Sequence, residues 1–158
     1  MVKERGEKVV ATNRRARYEY HLEDVVEAGL VLTGTEVKSL REGRATIGDG
    51  YCTDYHGELY LENVHIPEYL QGTWTNHSAK RRRKLLLHRE QIEKMTAKAH
   101  QAGHTIVPLR LYFKDGRAKV EIALAKGKKL HDKRQALRER QDRREAERAM
   151  SAHLRKHG

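Results

Sequence analysis

The stretch HTIVPLRLYFKDGRAKVEIALAKG, residues 104–127, limits the fold more than any other part of the chain. Two runs rich in β-branched and aromatic residues flank Lys114-Asp115-Gly116-Arg117. Asp-Gly accepts the left-handed backbone of a two-residue turn, so the runs are predicted to fold back on each other as antiparallel strands. GYCTDYHGELYLENVHI predicts a second hairpin, turning at His56-Gly57 with Leu59 and Leu61 on one face.

The remaining elements are placed around these hairpins. RYEYHL (17–22) alternates like a half-buried strand. LEDVVEAG reads as a short turn of helix with Val25 and Val26 inward, ending at Gly29, and GLVLTG as a further strand. TEVKSLREG predicts a helix capped by Thr35, with Val37 and Leu40 inward and Gly43 as its stop. GTWTNHSAKRRR (72–83) lacks periodicity and reads as an exposed loop. HREQIEKMTAKAHQAG is the longest helix of the body, with Ile92, Met95 and Ala99 at helical spacing and Gly103 at its end. The expected fold is mainly β with helices: about six short antiparallel strands closed into an OB-like barrel, with about three helices.

The chain ends differently. Between Arg138 and Glu145, RERQDRRE has no apolar residue, so this segment has no face to bury in a core. Residues 126–158 hold twelve Lys/Arg against five Asp/Glu, while the whole chain of 158 residues carries a net charge of +11. The expected organisation is a barrel over residues 1–126 and a basic tail over 127–158. The tail is rich in helix formers but has no packing partner, so it is expected to be disordered when free and helical against a surface.

A net charge of +11 points to a polyanionic partner. No long apolar run, export signal or lipidation motif points to a membrane. Cys52 is the single cysteine, which excludes an internal disulfide and fits a reducing cytoplasm. Catalytic signals are poor. GRATIGDG (43–50) lacks the Lys-Ser/Thr of a phosphate loop, and Gly103 separates His100 from His104. His153 and His157 share a helical face at a frayed end, which makes a weak metal site. Cys52 reads as a small buried hydrophobe, and Asp49 and Asp54 as solvated loop residues. No catalytic residue, metal or cofactor is expected, and the chain does not read as an enzyme.

Signals for nucleic acid are stronger. NRRARYEY (13–20) interleaves arginines, which suit phosphates, with tyrosines, which stack on bases; the other reading is a strand with its tyrosines in the core. KRRRK (80–84) is an electrostatic footprint or a solubilising run. Lys119 lies where a barrel could present a binding face. Trp74 either stacks on RNA or folds back onto the barrel. A structural rRNA-binding protein is one rival reading; an RNA-processing enzyme, lacking clustered carboxylates, is another.

NRRARYEY, EAGLVLTGTEVKSLREG, RKLLLH, TIVPL, GRAKVEIALAKGKK and HDKR occur in this order. Together they closely resemble the SsrA-binding protein (small protein B) family, from about Val9 to the C-terminus. The resemblance implies an OB-like barrel that binds the tRNA-like domain of transfer-messenger RNA. It implies delivery of that RNA to stalled 70S ribosomes for trans-translation, with elongation factor Tu in the delivery complex; a cytoplasmic monomer is expected. By the family pattern Glu27, Leu86 and Lys119 belong to the RNA-binding side, with Asn13, Arg15 and Arg17 contributing. Glu27 would serve as a base-edge acceptor or an anchor for neighbouring cations, and Leu86 would pack on a nucleoside or shape the surface from beneath. Gly127, Lys128, Lys129, His131, Asp132, Lys133 and Arg134 match the tail segment that enters the decoding centre, lined by 16S rRNA, and continues along the empty mRNA channel. His131 would stack there; its bland reading is an exposed linker histidine. Downstream the tail is more arginine-rich than many relatives and lacks their mid-tail aromatic.

Overall fold

In the computed structural model, which describes residues 6–69, 76–128 and 130–157, two long strands carry the fold. They are β6 (His104–Lys114) and β7 (Arg117–Gly127), paired along their full length. The turn between them has Asp115 and Gly116 at φ 50° and 81°, the left-handed pair a tight hairpin demands. The other strands are β1 (Glu7–Thr12), β2 (Tyr20–Leu30), β3 (Tyr51–Tyr55), β4 (Glu58–Glu62) and β5 (Arg83–Leu86). Four helices accompany them: α1 (Ala16–Glu19), α2 (Gly34–Arg41), α3 (Arg89–Ala99) and α4 (Leu130–His157).

The pairing order β6-β3-β4-β5-β2-β7 returns to β6, so six antiparallel strands form a closed ring, with β1 added to the edge of β6. Closure leaves few open sheet edges. Inward residues alternate with outward ones. Ala28 and Leu30 of β2, Leu59 and Leu61 of β4, Leu85 of β5, and Val120, Ile122 and Leu124 of β7 are all buried in one interior cluster. Leu40 of α2 and Ile92 and Met95 of α3 complete it. A second, smaller cluster lies outside the ring, where Ala16 of α1 covers Val107 and Leu109 of β6 and Ala123 and Ala125 of β7.

Several expectations are corrected. The class is as expected, with seven strands and four helices among the described residues, but β1 and α1 are additions to the elements read from the sequence. RYEYHL begins in α1 rather than as a strand, because Ala16 docks on the ring. Residues 22–29 are not helical: Tyr20–Leu30 is one strand, held by β7, with an irregularity between Glu23 and Val26 where Asp24 has φ 49°. The cap of α2 is Thr33, not Thr35. Thr33 Oγ1 accepts from the Glu36 amide at 3.3 Å, and the Thr33 amide donates to Glu36 Oε1 at 2.9 Å.

The segment read as an exposed basic loop is partly core. Arg83 and Glu36 are fully buried and paired. Arg83 also donates to the carbonyls of Val64 (2.7 Å) and Ala79 (3.0 Å), and Arg81 reaches Glu36 Oε1 at 2.6 Å. Burial alone would raise the Glu36 carboxyl, but donors from Arg81, Thr33 and Arg83 outweigh it and hold the pKa below 4.5. His77 is also buried, between Thr35 Oγ1 (2.8 Å) and the Ile66 carbonyl (2.9 Å). Trp74 lies outside the described residues.

Among the described residues no helix is long and apolar enough to cross a membrane. The tail backbone is helical from Leu130, and residues 137–150 are all exposed.

Candidate nucleic-acid interface

Strand register assembles the site. Gly29 on β2 pairs with Leu86 on β5 and with Lys119 on β7; Lys119 in turn pairs with Tyr112 on β6. The next outward row is Glu27 on β2, Glu121 on β7 and Arg110 on β6. Ala28, Leu30, Val120 and Ile122 point inward, so period-two alternation turns both rows outward. Residues 27, 86 and 119 therefore lie on one wall although the sequence separates them widely.

Space is tight at position 29. A Cβ there would come within 3.1 Å of the Leu86 Cβ, so the Leu86 side chain lies across the glycine. Leu86 is 54% exposed, an apolar plate on an otherwise charged wall. Beside it, Lys119 has no ion pair among the described residues.

Glu27 is held by its neighbours on the wall. Its Oε2 accepts from the Tyr112 hydroxyl and from Lys114 Nζ, the latter at 3.4 Å. The Tyr112 bond, aided by Lys114 and Lys119 against some burial, holds its carboxyl below 4.5. Burial and the bond to Glu27 push the Tyr112 phenol up, so it remains a donor through the physiological range. Tyr112 thus anchors Oε2, while Oε1 has no partner among the described residues and is available as an acceptor. Arg110 stacks on the Tyr112 ring at 4.2 Å and bonds Glu121 (3.1 Å) and Glu7 (2.9 Å). Bonding to Glu7, and then to Glu121, raises its pKa despite burial.

The arginine block lies on α1 and the turn just before it. Arg15 and Arg17 are exposed, and Arg15 faces Asp49 at 3.6 Å. Asn13 is different: it is 7% exposed, its amide N–H donates to the Leu109 carbonyl at 2.7 Å, and its Nδ2 donates to the Pro108 carbonyl at 2.9 Å. It is therefore a tether between α1 and β6 rather than an open surface contact. A hollow of about 460 Å³, lined by Arg17, Leu22, Val25, Leu109, Glu121 and Lys128, joins α1 to the charged rows.

The root of the tail is docked on α1. The Gly127 amide donates to the Gly103 carbonyl (3.3 Å), and the Lys128 amide to the Glu19 carbonyl (3.0 Å). Lys128 Nζ donates to the Arg17 carbonyl at 2.9 Å. Lys128 is thus bonded to α1 through both its backbone and its side chain. Lys129 lies outside the described residues, as do the side chains of His131, Asp132, Lys133 and Arg134.

Arg110, Tyr112, Lys114 and Gly29 were missed in the sequence. The alternation in LRLYFK does place 110, 112 and 114 on one face; nothing local links that face to Glu27. The bland reading of Cys52 holds, while Asp54 is solvated but lies in β3 rather than in a loop. Cys52 is buried, and burial pushes its thiol up. Asp54 is partly exposed and pairs with His100 at 3.4 Å. Among the described residues no group of His, Cys, Asp and Glu is placed to hold a metal.

Comparison with known proteins gives one consistent result. The SmpB protein family model matches residues 10–152. The SsrA-binding protein of Clavibacter michiganensis subsp. michiganensis is 67% identical over 155 residues, covering 98% of each chain. That of Renibacterium salmoninarum is 69% identical over 150 residues, covering 95% of this chain and 96% of its own. That of Streptomyces coelicolor is 65% identical over 156 residues, covering 99% and 98%. A solved structure described as "tmRNA-SmpB: a journey to the center of the bacterial ribosome" matches with a TM-score of 0.66 and 44% identity, over 81% of this chain and 94% of that one. A closed ring bearing these ordered blocks, matched by the family model over most of its length, belongs to the SmpB family, whose relatives are named as binding proteins rather than enzymes.

Proposed function

We propose that this chain binds transfer-messenger RNA and acts with it on bacterial ribosomes in trans-translation. The relatives named SsrA-binding protein and the solved tmRNA–SmpB structure support this reading. The single observation that carries it to particular residues is the pair of cross-strand rows. They gather Leu86, Lys119 and Glu27 on one wall, which a hollow lined by Arg17 and Glu121 joins to α1.

On that wall Lys119 neutralises a phosphate, Leu86 packs on a nucleoside, and Glu27 Oε1 accepts from a base edge. The target is the tRNA-like domain, whose unpaired loops offer such edges. Elongation factor Tu joins the delivery complex, and the protein works in the cytoplasm as a monomer. Residues 1–126 hold the RNA. Tail residues from Gly127 onward, with His131, Asp132, Lys133 and Arg134, enter the decoding centre. α4 then follows the mRNA path, which admits a basic helix only when mRNA phosphates are absent.

Sequencing the RNA that co-purifies with the tagged full-length chain tests this. Transfer-messenger RNA should dominate over other small RNAs. Recovery of rRNA fragments without it would replace this reading with that of a structural rRNA-binding protein.

A further inference from the structure

The basic run at 80–84 divides between two sides of the ring. Arg81 and Arg83 turn to Glu36. Arg82 and Lys84 turn outward instead: Arg82 lies over the rings of Tyr55 and Tyr60, and Lys84 is paired with Tyr60. Cys52, Leu59, Leu61 and Leu85 are buried in the core, so strand alternation puts Thr53, Tyr55, Tyr60, Glu62 and Lys84 on the outer face of β3, β4 and β5.

These residues form a defined cluster. Tyr55 and Tyr60 meet edge to face, with ring centroids 6.3 Å apart. The Arg82 guanidinium lies 5.3 Å from the Tyr55 centroid and 5.1 Å from that of Tyr60. Its Nε donates to Glu62 Oε1 at 2.6 Å, and Glu62 Oε2 accepts from Thr53 Oγ1 at 2.9 Å. The guanidinium is thereby held at Nε, while its two terminal nitrogens make no hydrogen bond among the described residues. Tyr55 is 52% exposed. The cluster belongs to neither apolar core, so interior packing does not account for it.

An exposed aromatic ring beside a held guanidinium suits the stacking of an unpaired nucleobase, with the free N–H groups left for a phosphate. Its position fits the same occupant. Lys84 is paired with Tyr60, and two residues further along β5 Leu86 joins the wall through Gly29. Two strand residues span about 7 Å, comparable to one step of an extended RNA chain. Glu58 and Glu62 offset Lys84 and Arg82, so stacking rather than net charge must hold the occupant. We propose that the outer face of β3, β4 and β5 is a second contact for the RNA held on the wall. The RNA strand leaves Leu86, crosses Lys84 and stacks an unpaired base on Tyr55, and Arg82 donates to its phosphate. This inference rests on the RNA-binding reading above and extends it to a face which that reading leaves unused.

The test is filter binding of the tRNA-like domain transcript to the full-length chain. Tyr55→Ala should weaken binding about tenfold, whereas Tyr55→Phe, which keeps the ring, should bind as wild type does. Stacking releases no counterions, so the salt dependence of Tyr55→Ala should match that of wild type. Arg82→Ala should also weaken binding and make its salt dependence shallower by about one counterion. A measurement on the wild-type chain avoids any effect of substitution on folding: with labelled tyrosines, the NMR signals of the Tyr55 and Tyr60 rings should shift when the transcript is added. Wild-type affinity in Tyr55→Ala, equal losses in Tyr55→Ala and Tyr55→Phe, or unmoved ring signals would overturn the platform. Transcript binding by wild type and Tyr55→Ala alike removes the platform alone; failure of the wild-type chain to bind the transcript removes the RNA-binding reading.

Discussion

The outer wall of β2, β7 and β6 and the helix α4 are both rich in charge, but they hold it in opposite ways. On the wall, side chains are fixed before any partner arrives. Glu27 is held by Tyr112 and Lys114, and Arg110 is clamped between Glu121 and Glu7 over the Tyr112 ring. On α4, Leu137 is 47% and Met150 67% exposed, and contacts such as Gln141 to Glu145 at 3.4 Å stay within the helix. A surface preorganised by folding loses little entropy when it binds. A helix exposed all round, as α4 is over residues 137–150, gains its stability there from what it meets, since single helices without packing are marginal in water. The wall is thus suited to recognition, and the tail to reporting whether a complementary surface is present.

The sharpest way to break this contrast is to remove helicity from the tail without removing charge other than Asp142. Replacing Gln141 and Asp142 by proline should abolish peptide tagging on stalled ribosomes, since proline cannot sustain the helix interior. The affinity of the same variant for the isolated RNA should stay within a few fold of wild type. Full tagging activity would mean that α4 acts as diffuse positive charge alone.

The next effect lies beneath the ring surface. Glu36→Gln leaves Arg83 buried without its counter-charge, and thermal or denaturant unfolding should report a loss of roughly 3–5 kcal/mol. The tail proline pair should leave the unfolding midpoint unmoved. The folded-state pKa of Glu36 is depressed, so its contribution is fully present above its ordinary value of 4.5 and is lost as pH falls through the lower folded value. The gap between wild type and Glu36→Gln should therefore hold from neutrality to about pH 4.5 and narrow below it. A gap that stays constant to lower pH would show that the carboxylate is not the stabilising species.

The smallest effect belongs to a single wall cation. Lys119→Ala should weaken RNA binding by about 1–2 kcal/mol and make its salt dependence shallower by about one counterion. Filter binding at two salt concentrations measures both. Unchanged affinity would place the RNA elsewhere than on the Leu86–Gly29–Lys119 row.

What could be read in the sequence followed distance along the chain. The β6–β7 hairpin was plain because Asp115-Gly116 and its flanking runs are local, and so was the β3–β4 hairpin. Tyr20–Leu30 was misread because Gly29 looks like a helix stop. What crowds that position is Leu86, far along the chain and across a strand boundary. The basic run at 80–84 misled for the same reason: what turns Arg83 inward is Glu36, 47 residues away. Thr33 was a local signal passed over, since Thr33-Gly34-Thr35-Glu36 has the spacing of a reciprocal cap. Glu27, Leu86 and Lys119 were named from family resemblance; their meeting on one wall depends on register, which no single segment encodes.

The docked root of the tail has a mechanical consequence. A helix of 28 residues is about 42 Å long, so a swing of roughly 10° at its base carries its far end about 7 Å. That displacement exceeds a whole helical turn, and Lys128, just ahead of the helix, is bonded to the carbonyls of Arg17 and Glu19 on α1. α1 is therefore the short arm of a lever. Whatever nudges its four residues, whether RNA drawn to Arg15 and Arg17 or a substitution at Ala16, is magnified in where the tail points.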